Sequence, residues 1–333
     1  MTDLLAIENL RVHFFLDEGI VRAVDGIDLT IPREGTVCLV GESGCGKSVA
    51  ALSLLRLVAS PGKIVSGKVT LHRDNGPLDL TALAEDGAEI RRVRGGEIAM
   101  IFQEPMTSLS PVHSVGSQIE EAIILHLGRK DSRQQAIRMM ERVGIPDAAH
   151  RFEQYPHEMS GGLRQRAMIA MALACRPSLV IADEPTTALD VTIQAQILAL
   201  LRELQTEFGM SILLITHDLG VVAEMAQQVA VMYLGRIVEQ APVEQLFADP
   251  QHPYTSALLQ SIPGNAPRKT ELKAIKGSIP DTFEHIPGCP FHPRCEEMIA
   301  GVCDIGPLPE LAEIKEGHFT ACMLRQRERS KGF

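Results

Sequence analysis

Eight consecutive residues, Gly41-Glu-Ser-Gly-Cys-Gly-Lys47-Ser48, satisfy the pattern G-x-x-x-x-G-K-S/T in full. The glycines let backbone N–H groups turn inward around phosphate oxygens, and a helix opening just after them directs its positive end at the same place. Lys47 is of a length to reach the β- and γ-phosphates, and the Ser48 hydroxyl can complete a Mg²⁺ shell. The chemistry is that of a nucleoside triphosphate site. A second group matches it. The apolar run Leu179-Val-Ile-Ala ends in Asp183-Glu184, at the strand edge where open α/β sheets bind ligands. Asp183 is suited to hold Mg²⁺ through water, and Glu184 to polarise an attacking water as general base. Alone, such a pair reads as a solvated turn; beside a phosphate loop it reads as the other half of the site.

Three further features carry chemistry. Ser160 with Gly161 and Gly162, between Met159 and Leu163-Arg-Gln-Arg166, makes a second anion nest at a helix start. Gln103 ends the segment EIAMIF and His217 ends SILLIT, each a polar side chain where a buried strand leaves its sheet. By themselves, His217 reads as a satisfied structural histidine and Gln103 as a loop residue. Finally, Cys289, Cys295, Cys303 and Cys322 crowd into the last 45 residues at spacings C-x5-C-x7-C-x18-C. No pair has the C-x-x-C spacing of zinc ribbons. Four thiolates at irregular spacing suit a 4Fe–4S cluster; the alternatives are structural zinc, with His292 or His318 as a ligand, or reduced cysteines that bind nothing. Such a cluster would staple a short, proline-rich tail with little core of its own.

The elements that must position these groups can be traced along the chain. IENLRVHF (7–14) and VRAVDGIDLTI (21–31) alternate as strands about a turn at Asp17-Glu18-Gly19. TVCLV (36–40) is a short apolar run fit for a buried strand, and Val49, Leu52, Leu55 and Val58 then fall at helical spacing until Pro61-Gly62. SGKVTLH (66–72) and EIAMIF (97–102) read as strands, and 114–175 is helical in character. SLVIAD (178–183) and SILLIT (211–216) are two more buried strands, separated by a helical pattern over 192–208. VAVMYLGRIVEQ (229–240) reads as a hairpin turning at Leu234-Gly235, and proline becomes dense beyond Pro250. Strands alternating with helices predict an α/β core with a parallel sheet.

Composition excludes several classes. The chain has 333 residues, which gives a prior of about two domains. It is 45% hydrophobic, enough to bury a sizeable core. Lys plus Arg is 32 against 42 for Asp plus Glu, a formal charge of −10 that argues against nucleic acid as the main partner. No apolar run approaches the ~18–20 residues of a membrane helix, and the N-terminus lacks the basic start and apolar stretch of a signal peptide. The expectation is a protein that is cytoplasmic or held at a membrane through another protein. Seven cysteines without an export signal argue against a disulfide framework.

Together these motifs, in this order, resemble the nucleotide-binding subunits of ATP-binding-cassette (ABC) transporters over about residues 7–240. The resemblance implies an α/β P-loop NTPase fold with an antiparallel β subdomain and a helical subdomain at about 104–175. By that resemblance Phe14 stacks on adenine (or Phe15, if the register slips by one). Gly41, Glu42, Ser43, Gly44, Cys45, Gly46, Lys47, Ser48 and Val49 surround ATP. Gln103 touches Mg²⁺ and senses the membrane partner, while Asp183 and Glu184 are the metal carboxylate and the base. His217 stands beside the γ-phosphate. Ser160, Gly161 and Gly162, with Asp190 of the Ala188-Leu-Asp190 loop, serve the ATP of the opposite subunit. Two departures, Met159 and Leu163, stand where the family has leucine and glutamine; the first is nearly isosteric, and the second loses an amide hydrogen bond.

HPYTSALLQSIPG (252–264) and the stretch Gly288-Cys-Pro-Phe-His-Pro-Arg-Cys295 are similar to the dipeptide/oligopeptide branch of the importers. This divides the chain into an ATPase domain, 1–255, and a small Cys-rich extension, 256–333. It implies ATP hydrolysis driving peptide import at the cytoplasmic face of the membrane, with Mg²⁺ and a 4Fe–4S cluster as cofactors. It also implies a paralogous second ATPase subunit, two transmembrane permease subunits and an extracytoplasmic peptide-binding protein. Import of nickel or glutathione, a soluble cassette ATPase, and an iron–sulfur assembly protein are the competing readings.

Overall fold

The computed structural model describes residues 3–128, 130–187, 189–261, 275–280, 283 and 286–331. The chain separates into two compact units.

The first comprises Met1–Leu4, Ile31–Thr36 and Ala82–Ile215. Its strands Ile98–Ile101, Leu179–Asp183 and Ser211–Thr216 run parallel, with Ile98 opposite Leu179 and Leu179 opposite Ser211. Every residue of Leu179–Asp183 is buried, as a continuous apolar run between two parallel neighbours requires. Helix Val191–Phe208 starts where the Asp190 carboxylate accepts the Ile193 N–H at 2.9 Å and stops at Gly209, whose φ of 62° an L side chain disfavours. Its buried Ile197, Leu198, Leu201 and Leu204 recur at helical spacing and form the core face. Helices Pro105–Ser108, Val115–Leu127, Ser132–Arg142, Ala148–Arg151 and Gly161–Leu173 fill the expected helical segment.

The second unit comprises Leu5–Thr30, Val37–Thr81 and Thr216–Phe333. One sheet is antiparallel, in the order Gly19–Pro32, Asp3–Leu16, Gly62–Arg73, Gly76–Asp79. Its register pairs Leu5 with Leu71 and Ile7 with Val69, all buried, and slips between Glu8 and Val12. Gly67 sits at that bulge, with φ 99° and no room for a Cβ, which would stand 2.4 Å from Leu10 Cα. The hairpin falls at the expected place, with Gln228–Tyr233 and Arg236–Pro242 turning at Leu234 and Gly235, both at positive φ. Strand Thr36–Val40 pairs parallel to its first arm. Its second arm pairs with His318–Thr320, which pairs in turn with Ala312–Lys315.

This last pairing departs from the sequence reading, which gave the tail little core. The tail extends the hairpin's sheet and buries Phe291, His318 and Thr320. Glu239, fully buried, holds it: the carboxylate accepts the Gln251 and His252 N–H groups at 2.7 and 2.8 Å and pairs with His318 Nε2 at 2.7 Å. The helix after the phosphate loop also differs. It covers Lys47–Leu54 and ends before Val58, because Arg56 turns left-handed at φ 54°.

Candidate functional site

The phosphate loop leaves the fully buried strand Thr36–Val40 and enters helix Lys47–Leu54 through Gly46, at φ 104°. A Cβ on Gly46 would lie 2.0 Å from Ala23 O, and one on Gly41 2.2 Å from Met232 O, so backbone approach fixes both as glycine. The hairpin turn braces the loop, with Gly235 N–H donating to Cys45 O at 2.9 Å. No side chain caps the helix start, which leaves its first N–H groups for an anion. Lys47 is buried and donates to Gly41 O at 2.8 Å and Glu42 O at 3.0 Å. Ser43, Gly44 and Ser48 are exposed and Val49 half-buried. Burial pushes the Cys45 thiol up, so it stays protonated although Lys47 is near. Phe14 is half-buried, opposite Gly62, whereas the Phe15 ring is 44% exposed with Lys63 Nζ 6.0 Å from its centroid. His217 is exposed just beyond strand Ser211–Thr216, and the next residue, Asp218, caps the following helix.

In the first unit, Asp183 ends its strand buried, and Glu184 turns left-handed at φ 47°. That turn is held by Glu184 N–H donating to Ile215 O at 2.9 Å. The structure brings two of the expected residues together here: Gln103 Nε2 donates to Glu184 Oε2 at 3.0 Å. Thr187, which sequence reasoning missed, donates its hydroxyl to the same oxygen at 2.9 Å. Its signal was its place three residues after the carboxylate, in a turn.

Ser160 is the N-cap of helix Gly161–Leu173 but makes no capping bond through its side chain. It is exposed, and a Cβ on Gly161 would meet nothing within 4 Å. These free donors around an open glycine suit an incoming anion. Met159 is buried, so a thioether fills the leucine's place. Asp190 is committed to its helix cap, and Ala188 lies outside the described residues.

The four tail cysteines carry no disulfide and line one small cavity with His252, Phe291 and His292. Burial first, and then the other thiols' charge, pushes Cys289 up to about 12 and Cys295 up to about 11. His252 Nδ1 accepts the Tyr254 N–H at 3.1 Å, which leaves the proton on Nε2. That Nε2 is buried without a hydrogen-bond partner, and burial lowers the histidine to about 4, so it is neutral. A soft-donor set with a spare N–H donor beside it fits a sulfur-ligated metal group. As placed, however, no three His, Cys, Asp or Glu among the described residues are grouped closely enough to hold a metal ion. Of the two histidines considered for zinc, His292 lines the cavity, while His318 does not and is bound to Glu239.

Residues 24–187 match the ABC transporter family, and residues 238–303 match the oligopeptide/dipeptide transporter C-terminal region. A Sinorhizobium fredii protein named "Probable peptide ABC transporter ATP-binding protein y4tR" is 52% identical over 96% of this chain and 94% of its own. The oligopeptide transport ATP-binding protein AppD of Bacillus subtilis is 48% identical over 98% of both chains. Among solved structures, the ATP-binding cassette MJ0796, dimeric and bound to ADP and Pi, aligns with TM-score 0.63 at 26% identity, over 72% of this chain and 98% of its own. The chain belongs to the ATP-binding subunits of ABC transporters, in the group that carries the oligopeptide/dipeptide transporter C-terminal region.

Proposed function

We propose that this chain is the ATP-hydrolysing subunit of a peptide importer. The observation that carries the reading is the pairing of a complete phosphate loop with an oligopeptide-type C-terminal region in one chain. Among the described residues no helix is long and apolar enough to cross a membrane. In this reading, which rests on the oligopeptide-type C-terminal region, the subunit works against membrane-spanning permease partners, peripherally at their cytoplasmic face. A second ATPase subunit, a paralogue in this reading, and an extracytoplasmic peptide-binding protein complete the assembly.

The chemistry follows from the residues. ATP's phosphates bind backbone N–H groups of the loop beyond Glu42, whose own N–H is held by Tyr254 Oη, with Lys47 neutralising the β- and γ-oxygens and His217 beside the γ-phosphate. Phe14 stacks on the base. Ser48, Gln103 and Asp183 each offer an oxygen donor of the kind a hard cation prefers. Mg²⁺ bound by them would supply charge neutralisation to the phosphates. Glu184, positioned by Gln103 and Thr187, accepts a proton from water as its oxygen bonds to the γ-phosphorus. The bond from that phosphorus to the bridging oxygen breaks, and ADP leaves with the electron pair. Ser160, Gly161 and Gly162 cap the γ-phosphate bound by the partner subunit, so two chains closing on two ATP molecules couple hydrolysis to the permease.

The four-cysteine pocket is proposed to hold a 4Fe–4S cluster through Cys289, Cys295, Cys303 and Cys322, with His252 Nε2–H as a hydrogen-bond donor toward it. The convergence of all four thiols on one cavity supports this. The test of the function is uptake: Lys47→Ala should abolish ATP-dependent peptide accumulation in cells that express the assembled transporter. Unchanged accumulation would remove the chain from that role.

A further inference from the structure

Glu42, the second residue of the phosphate loop, is gripped by the C-terminal extension. Its carboxylate accepts a two-pronged bond from Arg294, Nη1 to Oε2 at 2.7 Å and Nη2 to Oε1 at 3.0 Å. Its backbone N–H donates to Tyr254 Oη at 2.9 Å. Its carbonyl faces the loop, accepting from Lys47 Nζ at 3.0 Å and Cys45 N–H at 3.3 Å. One residue therefore joins the extension to the lysine that meets phosphate.

Arg294 is built into this place. Its side chain is 4% exposed, against 23% for Glu42. Its Nε donates to Lys276 O at 3.0 Å, Nη1 also approaches Tyr233 Oη at 3.4 Å, and the guanidinium lies about 6 Å from the Tyr233 and Phe291 rings. Phe291 packs in turn on Tyr233, Tyr254 and His252 at centroid distances of 5.4, 5.3 and 5.9 Å. A guanidinium buried so deeply needs its counter-charge. The electrostatics run the other way too. A bare carboxylate in a loop that receives a polyphosphate repels its ligand, and Arg294 cancels that charge while fixing the peptide on which Lys47 rests.

We infer that Arg294, from the C-terminal extension, and Tyr254, just before it, are positioning residues for nucleotide binding that mask the Glu42 charge and set the phosphate loop. The inference rests on the assignment of residues 41–48 to phosphate. It also explains why an arginine sits inside the cysteine-rich stretch, immediately before Cys295.

The test is equilibrium binding of a fluorescent ATP analogue with Mg²⁺ to the full-length chain. Arg294→Met should weaken binding about tenfold, the scale of one lost charge-assisted fork. Adding Glu42→Gln to that variant should return affinity to within about threefold of wild type, because the unmasked charge is then gone. A purely structural arginine would show no such recovery. Binding by Arg294→Met within twofold of wild type, or a double variant as weak as the single, would overturn the inference. Should Arg294→Met fail to fold, Tyr254→Phe decides. It keeps the ring packing and removes the acceptor of the Glu42 N–H, so affinity should fall about threefold in protein that still unfolds in one cooperative transition, and unchanged affinity refutes the role. Lys47→Ala separates the two layers. If it binds as wild type, the phosphate-loop assignment fails and this inference with it. If it loses binding while Arg294→Met does not, this inference alone fails.

Discussion

Replacing Glu184 by glutamine removes the proposed base while leaving its surroundings in place. The Glu184 carboxylate is oriented through Oε2, which accepts from Gln103 Nε2 at 3.0 Å and from Thr187 Oγ1 at 2.9 Å. The amide oxygen of glutamine can accept both bonds in the same rotamer, and the left-handed φ of 47° burdens the two residues alike. Folding stability should therefore change by less than about 0.5 kcal/mol. What is lost is the proton acceptor. General-base catalysis contributes roughly a hundred- to ten-thousandfold, so single-turnover phosphate release in the assembled transporter should slow by that factor. ATP affinity should stay within about twofold, since the Lys47 half of the site is untouched. A glutamine variant that hydrolyses ATP within tenfold of wild type would refute the assignment. So would one that loses ATP binding and hydrolysis together, because the residue would then hold nucleotide rather than activate water.

Other expectations follow from the same contacts. Gly46→Ala should abolish ATP binding in the fluorescent-analogue assay, because a Cβ would stand 2.0 Å from Ala23 O at φ 104°; wild-type affinity would mean that the loop is not built as described. Glu239→Ala removes the hydrogen-bond partner of buried His318 Nε2 and the acceptor of two backbone donors. With three buried groups left unpaired, denaturant unfolding should show a loss of about 3–5 kcal/mol, and a loss below about 1 kcal/mol would contradict the anchoring role. Anaerobically purified protein should carry about four irons and four sulfides per chain, as a 4Fe–4S cluster requires, and lose them in Cys295→Ser. About one zinc per chain would instead favour a structural zinc site, and no metal would leave the cysteines as bystanders.

The phosphate-loop and carboxylate segments were legible in the sequence because each is local. A phosphate loop must spell its glycines, lysine and hydroxyl in consecutive positions, and Asp183-Glu184 announces itself as the polar end of a buried strand. The hairpin at Leu234-Gly235 and the paired N-terminal strands were readable for the same reason: alternation and turn residues lie within a few positions of each other. What escaped were long-range partners. Nothing in the spacing couples Glu42 to Arg294, 252 positions away, or Glu239 to His318. The tail's two short strands escaped because Ala312–Lys315 and His318–Thr320 are only four and three residues long, too short for alternation to register. The four cysteines stood between these cases. Their convergence on one cavity could be guessed from number and spacing, but the embrace of that cavity by His252 and Phe291 could not. His318, offered as a zinc ligand by residue type alone, turned out to be committed to a buried carboxylate.

The central claim is that ATP hydrolysis at this chain drives peptide import. It is tested most directly by reconstituting the complete transporter in vesicles with ATP at the side that carries this subunit and following a labelled peptide across the membrane. Peptide should move in the import direction only with hydrolysable ATP, and Glu184→Gln in this subunit should stop it while nucleotide remains bound. Peptide transport that proceeds undiminished in that variant, or an intact complex that hydrolyses ATP without moving peptide, would contradict the account.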